Sequence, residues 1–588
     1  MIRRCEVELV LNAIRRSGVG QDVESLLVPN GTGRPRELKA EVFFTGAVLV
    51  AFKGLTLTLT NVHRALTEWI PISVQNALGT RIKTAPGVQS ESITVREVRY
   101  LFSAIEDRLE YTVASAPEIS DTEREIRSEA FQSVIDKLLR ASLLQSMPTQ
   151  LSLAWDSSGV ESWGKPKWRA TSTSDEVDLD VDDPGNPDAL AIVRNSEQEA
   201  TSKLKRKKKD KRDVYSFDPD AHLGYRTKTY DNRSSKLFGY DLYAGVAVLP
   251  VGAMADLLPK LVLSLTLRPA AGSVTEPTLL MLDRLIKEGH VIEELLVDRG
   301  FSYKIPEDWA NELRKRDIRQ IQDIHPNDHG VRDFEGIKII DGVPHCDRIP
   351  ERLIDIARPA RFKVGPLKNK ATKEDRENRE RNLKELAEFA ADNEEREQYA
   401  FVFHENNPTV QDPGNTRWMC PGKAGKIKCA HCPLSEFYSD DVPVVENPPV
   451  LVTAPKGCRQ QTVSIPGPAL AKLRQQEYWG SPAWIASYSR RSHIEGVFGN
   501  LRNPSTQNIK RGFCRVVGLV KTSLMLTFQA MAANIRLIRQ WSRRTGDATD
   551  PLSELMPENF GFEELDEHGQ IALAEPFDFD DPPDELAA

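Results

Sequence analysis

Cysteine is scarce in this chain, with seven in 588 residues. So few thiols over such a length exclude a disulfide-stapled fold. Long apolar runs are missing too. The most hydrophobic early stretch, Val42–Leu59, is interrupted by Thr45, Lys53 and further threonines, which rules it out as a bilayer span. The opening Met1-Ile-Arg-Arg-Cys-Glu6 carries an acidic residue where a secretory signal needs an apolar core. These absences point to a cytoplasmic protein. Positive charge is also in deficit, the formal net charge being −8, but its distribution matters more than its sum. Twelve acids and no Lys or Arg lie between Pro551 and Ala588, and seven more acids lie between Asp175 and Asp188; setting these nineteen aside turns −8 into +11. The remainder is free to present a positive working surface.

The length allows three or four domains. Residues 1–150 are rich in helical periodicity: Glu37–Phe52, Val62–Leu78, Thr94–Leu109 behind a Thr94 cap, and Ser128–Leu144. This all-α part is either a plain helical bundle for dimer contact or support, or one that includes a helix-turn-helix. The turn Gly33-Arg-Pro-Arg36 is an exposed turn or a short minor-groove arm. From 151 the pattern changes. Leu151–Asp156, Phe238–Leu249, Leu261–Leu267, Ile292–Val297 and Ile318–Ile321 read as strands. Glu276–Glu288 and Glu307–Arg316 read as helices. A charged insertion, 165–213, acidic and then basic (Lys203–Arg212), is expected to be disordered. Residues 331–478 form an inserted subdomain with a charged helix over Asn369–Gln398, and residues 479–545 return to the α/β part. The acidic tail, 546–588, is expected to be disordered.

Three acidic positions carry the chemistry. Asp156 ends the apolar run Leu151-Ser-Leu-Ala-Trp, and Asp298 ends Ile292-Glu-Glu-Leu-Leu-Val. A carboxylate at the end of a core strand is costly to desolvate without a partner such as a metal. The third position lies in Tyr488–Arg502. Tyr488, Arg491, Glu495 and Arg502 stand at offsets of 0, 3, 7 and 14, one stripe of a continuous helix. Such a stripe is either a solvated face with ordinary ion pairs, or a carboxylate for a divalent cation between arginines that grip phosphate. His493 falls on another helical face and reads as structural. Trp479 and Trp484, just upstream, read as packing residues before base-stacking ones.

Strand–Asp, strand–Asp-x-Gly-Phe and a helix with Tyr-x2-Arg-x3-Glu-x6-Arg resemble the DDE transposases of bacterial insertion sequences over roughly residues 151–541. The resemblance implies an α/β fold, with an RNase H-like mixed sheet flanked by helices, an N-terminal all-α, DNA-end-binding domain and the inserted cysteine-containing subdomain. It implies a catalytic set of Asp156, Asp298 and Glu495 holding two Mg2+ or Mn2+ ions, with Asp156 shared between them. Tyr488, Arg491 and Arg502 would contact DNA. The family's usual final residue is Lys; Arg502 keeps the charge and changes the donor geometry. The implied partners are double-stranded DNA (terminal repeats and target) and a second copy of the chain when two ends are paired, in the nucleoid. A nuclease that cuts without joining, and a DNA-binding derivative without catalysis, share the same sequence pattern.

The cysteines cluster late. Cys420-x8-Cys429-x2-Cys432, with Cys458 beyond, has the donor types of a structural zinc site, for which four sulfurs at about 2.3 Å are suited. Cys458 is the ligand least fixed by spacing, with His431 and Cys346 as substitutes. Reduced, unliganded thiols are the alternative.

Overall fold

The computed structural model describes every residue except 1, 28–35, 83–90, 166, 171–202, 206–211, 216, 228–233, 254–256, 303, 363, 368–370, 413, 449, 471 and 546–588. The 33–35 turn, the acidic stretch 175–188, most of the basic run and the acidic tail thus lie outside the described residues. Arg36 is described, and it turns inward, donating to the Leu27 carbonyl at 2.9 Å and pairing with Glu24 at 2.9 Å. Within the insertion expected to be unstructured, Lys167–Ala170, Lys203–Lys205 and Arg212–Tyr215 pair as a small antiparallel ladder.

The chain begins with helices α1 (Arg4–Ser17), α2 (Val19–Leu26), α3 (Ala40–Phe52), α4 (Leu59–Arg64), α5 (Ile72–Leu78), α6 (Val95–Leu109) and α7 (Asp121–Ala141). Thr94 caps α6 as its sequence predicts. Its hydroxyl accepts from the Glu97 amide, while the Glu97 carboxylate accepts from the Thr94 amide. The single helix expected over Val62–Leu78 is divided. A π turn, Ala65–Trp69, follows α4, and Pro71 precedes α5, because proline cannot donate to the preceding turn.

Six strands form the central sheet: β1 (Gln150–Glu161), β2 (His222–Thr227), β3 (Ser234–Val248), β4 (Val262–Pro269), β5 (Val291–Val297) and β6 (Arg319–Gln322). Their order is β6-β5-β1-β3-β2, and β4 pairs with the second part of β3 beyond β2. β5 runs parallel to β1 and β6, whereas β3 is antiparallel to β1, β2 and β4. Helix α8 (Thr275–Lys287) returns the chain from β4 to β5, and α9 (Ala310–Lys315) links β5 to β6. Consecutive strand residues face opposite sides, so Trp155 and Asp156 diverge. Trp155 is fully buried. A Cβ on Gly245 across the strand pair would lie 2.8 Å from its indole, so this position must stay without a side chain.

Between β6 and the C-terminal helices lie α10 (Lys373–Gln398) and two three-stranded ladders, with small cores of their own. The chain then forms α11 (Pro482–Ser489), α12 (Ser492–Arg502) and α13 (Leu519–Thr545). α13 is buried along most of its length and shares one core with α1, α3, α6, α7, α12 and the sheet; Phe528 packs against Phe43 and Phe44 of α3. Arg536 and Arg539, near its end, lie over the Phe52 ring. Its N-terminal amides are capped from the sheet side: Gly518 donates to Asp218 at 3.1 Å and Leu519 to Asp220 at 2.9 Å.

Asn534 fastens α13 to the sheet. Its amide nitrogen donates to the Val262 carbonyl at 3.0 Å and its oxygen accepts from the Val262 amide at 2.9 Å, with Ser142 as a third partner. All are buried. Asn534→Leu would strand both backbone groups and is expected to lower unfolding free energy by about 2–4 kcal/mol, measured by chemical denaturation.

Candidate active site

Asp156 lies within β1, past the middle of the strand, and pairs across it with Ala244. The parallel register of β5 on β1 sets Leu296 opposite Ala154. Two residues further on each strand stand Asp298 and Asp156, side by side. β5 on β6 sets Val297 opposite Gln322, so Asp323 continues the row one strand on. The Asp298 carboxylate accepts from the Gly300 amide at 2.9 Å. A Cβ on Gly300 would stand 2.9 Å from the same oxygen, a physical reason for glycine in Asp-x-Gly.

α12 packs on β1 and β3 and brings Glu495, in its first turn, over this row. The helix is not continuous from Tyr488 to Arg502 as its stripe predicts. It breaks between α11 and α12, where three-residue hydrogen bonds run Arg490 to Ser487, Arg491 to Tyr488 and Ile494 to Arg491. The cause is Arg490, which turns into the protein. It pairs with Glu294 of β5 at 2.9 Å and donates to the Leu249 carbonyl at 3.2 Å and to the Ser487 carbonyl at 3.0 Å. Glu294 also takes Ser152 at 2.9 Å and Arg319 at 3.1 Å. Burial alone would raise its pKa; Arg490 and its other partners outweigh that and lower it.

The break aims Arg491 into the site. Its guanidinium donates to Asp156 at 3.2 Å and to Glu495. Asp156, Asp298 and Glu495 therefore share one neighbourhood. Burial first, then the Asp298 charge, raise the Asp156 pKa from 3.8 to about 6, against the opposing pull of Arg491. Burial disfavours the charged Arg491, but Tyr488, Asp156, Glu495 and Asp298 more than offset it and hold its pKa above the ordinary arginine value. Glu495 is the accessible member, with its side chain 56% exposed. Asp323 is satisfied elsewhere, by Arg358 at 2.6 Å and the Trp479 indole at 3.3 Å.

Tyr488, Arg502 and the two tryptophans make contacts within the chain. Tyr488 stacks on Trp484 at 4.8 Å and meets Phe362 edge-on, so its ring is a packing element under Arg491. Trp479 and Trp484 are buried in the core of the inserted subdomain, as their packing role predicts. Arg502 donates to the Gly159 carbonyl of β1 at 2.9 Å, which clamps the end of α12 to the strand. Arg490 and Glu294 were not singled out from the sequence. A glutamate inside the apolar run Ile292–Val297 was the available signal, since it demands a buried cation.

Five cysteines gather in the inserted subdomain. Cys458 hydrogen-bonds Cys420 and lowers its pKa, helped by the Gly422 and Lys423 amides and opposed by burial. Burial raises the Cys429 thiol, whose sulfur accepts from the His431 amide. Cys432 closes the turn onto the Cys429 carbonyl at 2.9 Å. A Cβ on Gly422 would touch Cys429 at 3.2 Å and the Cys420 sulfur at 3.8 Å. Cys346 is buried, which lifts its pKa to about 12, and it feels the charges of Cys420 and Cys429. His431 thus reaches the cluster through its backbone. Among the described residues, no group of three or more His, Cys, Asp or Glu side chains is arranged as a ready-made metal site. At the carboxylates the reason is visible: a guanidinium fills the space between Asp156 and Glu495.

The raised Asp156 pKa has a defined sign. The folded protein pays no penalty for this group below pH 3.8, where it is neutral in both states, and the full penalty above pH 6. Asp156→Asn, in chelator, should therefore raise stability by up to about 3 kcal/mol at pH 7.5, with the gain fading towards pH 4. Thermal unfolding across that range measures it; a gain independent of pH would contradict the burial and repulsion assigned here.

Compared with protein-family models, with curated proteins and with solved structures, the chain finds no match in any of the three.

Proposed function

We propose that the chain is a DDE-type transposase, with an RNase H-like catalytic domain, that cuts the ends of a mobile DNA element and joins them to target DNA. One observation carries this. Leaving β2 aside, the sheet runs third, second, first, fourth, fifth strand, with only the second antiparallel. Asp156 on the first strand, Asp298 after the fourth and Glu495 on a later helix meet on it. The strand order is the one an RNase H-like sheet requires.

The residues suit divalent cations chemically. Asp156 is held above its normal pKa by burial and by Asp298, the mark of a site short of positive charge, and Arg491 already supplies part of it. Asp156, Asp298 and Glu495 would hold two Mg2+ or Mn2+ ions. When bound, these supply an activated water and neutralise the leaving oxygen. Water adds to the phosphorus, the bond to the 3′ oxygen breaks, and that oxygen takes up a proton. The freed 3′-hydroxyl then attacks a target phosphodiester in the same way. Arg491, displaced from the carboxylates, is within reach to grip a non-bridging phosphate oxygen. Tyr488 and Trp484 fix its base, and Arg502 holds α12 against β1.

Structural zinc is the second element proposed. Cys420, Cys429, Cys432 and Cys458 are the ligands, Cys346 is the alternative to Cys458, and backbone amides already aimed at Cys420 and Cys429 favour the thiolates. The helical N-terminal region is the proposed reader of element ends, on a chain that pairs with a second copy when two ends are joined.

Asp298→Asn and Glu495→Gln should each slow metal-dependent cutting and joining on the order of 10³-fold or more, about 4 kcal/mol, while end binding in a gel-shift assay stays near wild type. Wild-type rates from either variant would remove that residue from the catalytic set. Zinc should be measurable by elemental analysis at about one ion per chain. Cys429→Ser should lose it along with thermal stability, and a zinc-free wild-type chain of unchanged stability would exclude the site.

A further inference from the structure

Beyond Glu161, where β1 ends, the chain turns through Ser162, Trp163 and Gly164 into a cleft of about 460 Å³ lined by Trp163, Lys165, Phe217, Arg511 and Val517. Two aromatic rings face solvent here, Phe217 at 77% and Trp163 at 42% exposure. Two exposed rings on one cleft give it an apolar surface of the kind that suits a binding face. Two guanidiniums stand over the Trp163 ring, Arg511 and Arg515, each 5.6 Å from its centre. Arg511 is locked in place by the carbonyls of Ser162 at 3.1 Å and Trp163 at 2.8 Å. Among the described residues Arg515 makes no hydrogen bond or ion pair, and its guanidinium lies over the indole. Gly512, with φ +93, lets the loop close on the ring: even a Cβ there would come within 3.6 Å of it. The cleft therefore offers exposed ring surface of Trp163 and Phe217 beside two guanidiniums, one of them fixed by hydrogen bonds, and a lysine.

We infer that this cleft is a stacking site for an unpaired nucleobase of single-stranded DNA, with the flanking phosphates on Arg511, Arg515 and Lys165. The choice of DNA rests on the function proposed above. A base in a duplex hides its faces, whereas an unpaired base can lie on an aromatic ring whatever its sequence. Guanidiniums beside the ring fit the adjacent phosphates and stack in their own right. Six residues of β1 and its turn lie between Asp156 and Trp163, seven steps and about 23 Å of extended chain at about 3.3 Å per residue. The site is thus remote from the carboxylates and takes a strand that has left its duplex some distance from the bond being cut. The carboxylate of Glu161, exposed at the strand end, is a nearby charge that would repel a phosphate.

The test uses the full chain in chelator, so that nothing is cut, and follows fluorescence anisotropy of a labelled oligothymidine and of a duplex of equal length. Trp163→Ala should weaken oligothymidine binding about tenfold while changing duplex binding less than about twofold, with Trp163→Phe restoring most of the loss. Phe217→Ala, at a residue so exposed that folding is spared, should act in the same direction. Equal losses on single strand and duplex, or no loss from either variant, would overturn the inference. So would thymidine monophosphate competing as well as the oligomer, since the site would then serve free nucleotides. The measurement needs neither metal nor Asp156, Asp298 and Glu495, so its failure leaves the proposed catalytic set untouched, and inactive carboxylate variants leave this result standing.

Discussion

A single arginine sets the shape of the candidate site. Arg491 bonds both Asp156 on the sheet and Glu495 on α12, and without a cation at that point two carboxylates beside a third would repel one another. Its direction depends on its neighbour. Arg490 is drawn into the protein by Glu294 and the Leu249 carbonyl, and this forces the turn between α11 and α12. A straight helix would carry Arg490 away from Glu294 and leave that carboxylate buried without its closest charge. Two adjacent arginines thus divide the work: one holds the helix pair against β5, the other occupies the space between the acids.

Around that point the fold supplies rigidity from several directions. α13 crosses the core with its first amides capped by Asp218 and Asp220 and its middle tied to β4 through Asn534. Arg502 clamps the far end of α12 to β1. On the other side, Asp323, Arg358 and the Trp479–Trp484–Tyr488 stack couple the inserted subdomain to the base of Arg491. The acids therefore stand on strands and a packed helix, and the group between Asp156 and Glu495 is a long side chain. That would suit the metal and phosphate partners proposed for the site, because an arginine can swing without disturbing the backbone.

Much of this layout was legible in the residues. The apolar runs ending at Asp156 and Asp298, the Thr94 cap and the order of the strands and helices expected after residue 151 follow from local patterning, and the structure has them in that order, with β2 as a further strand that patterning does not announce. Asp156 was read as a strand terminus but lies inside β1, because Gly159 and Val160 continue the pairing with β3. The unbroken Tyr488–Arg502 helix was wrong for a reason that local periodicity cannot reveal: its break answers Glu294, nearly two hundred residues away in the chain. Likewise Cys346 joins the cysteine cluster through tertiary packing, and spacing alone had left it as a substitute. Tyr488, which the resemblance sets at DNA, is held by a stack with Trp484. The cleft at Trp163 was invisible in the sequence, since its two aromatics and two arginines come from three distant segments.

The most direct examination of the carboxylate site is anomalous diffraction from crystals of the full chain soaked with Mn2+ together with element-end DNA. Two manganese peaks between Asp156, Asp298 and Glu495, with the Arg491 guanidinium moved onto a phosphate oxygen, are the expected result. No manganese among these three carboxylates at saturating concentration, with Arg491 still bonded to Asp156 and Glu495, would contradict the metal-dependent chemistry assigned to them.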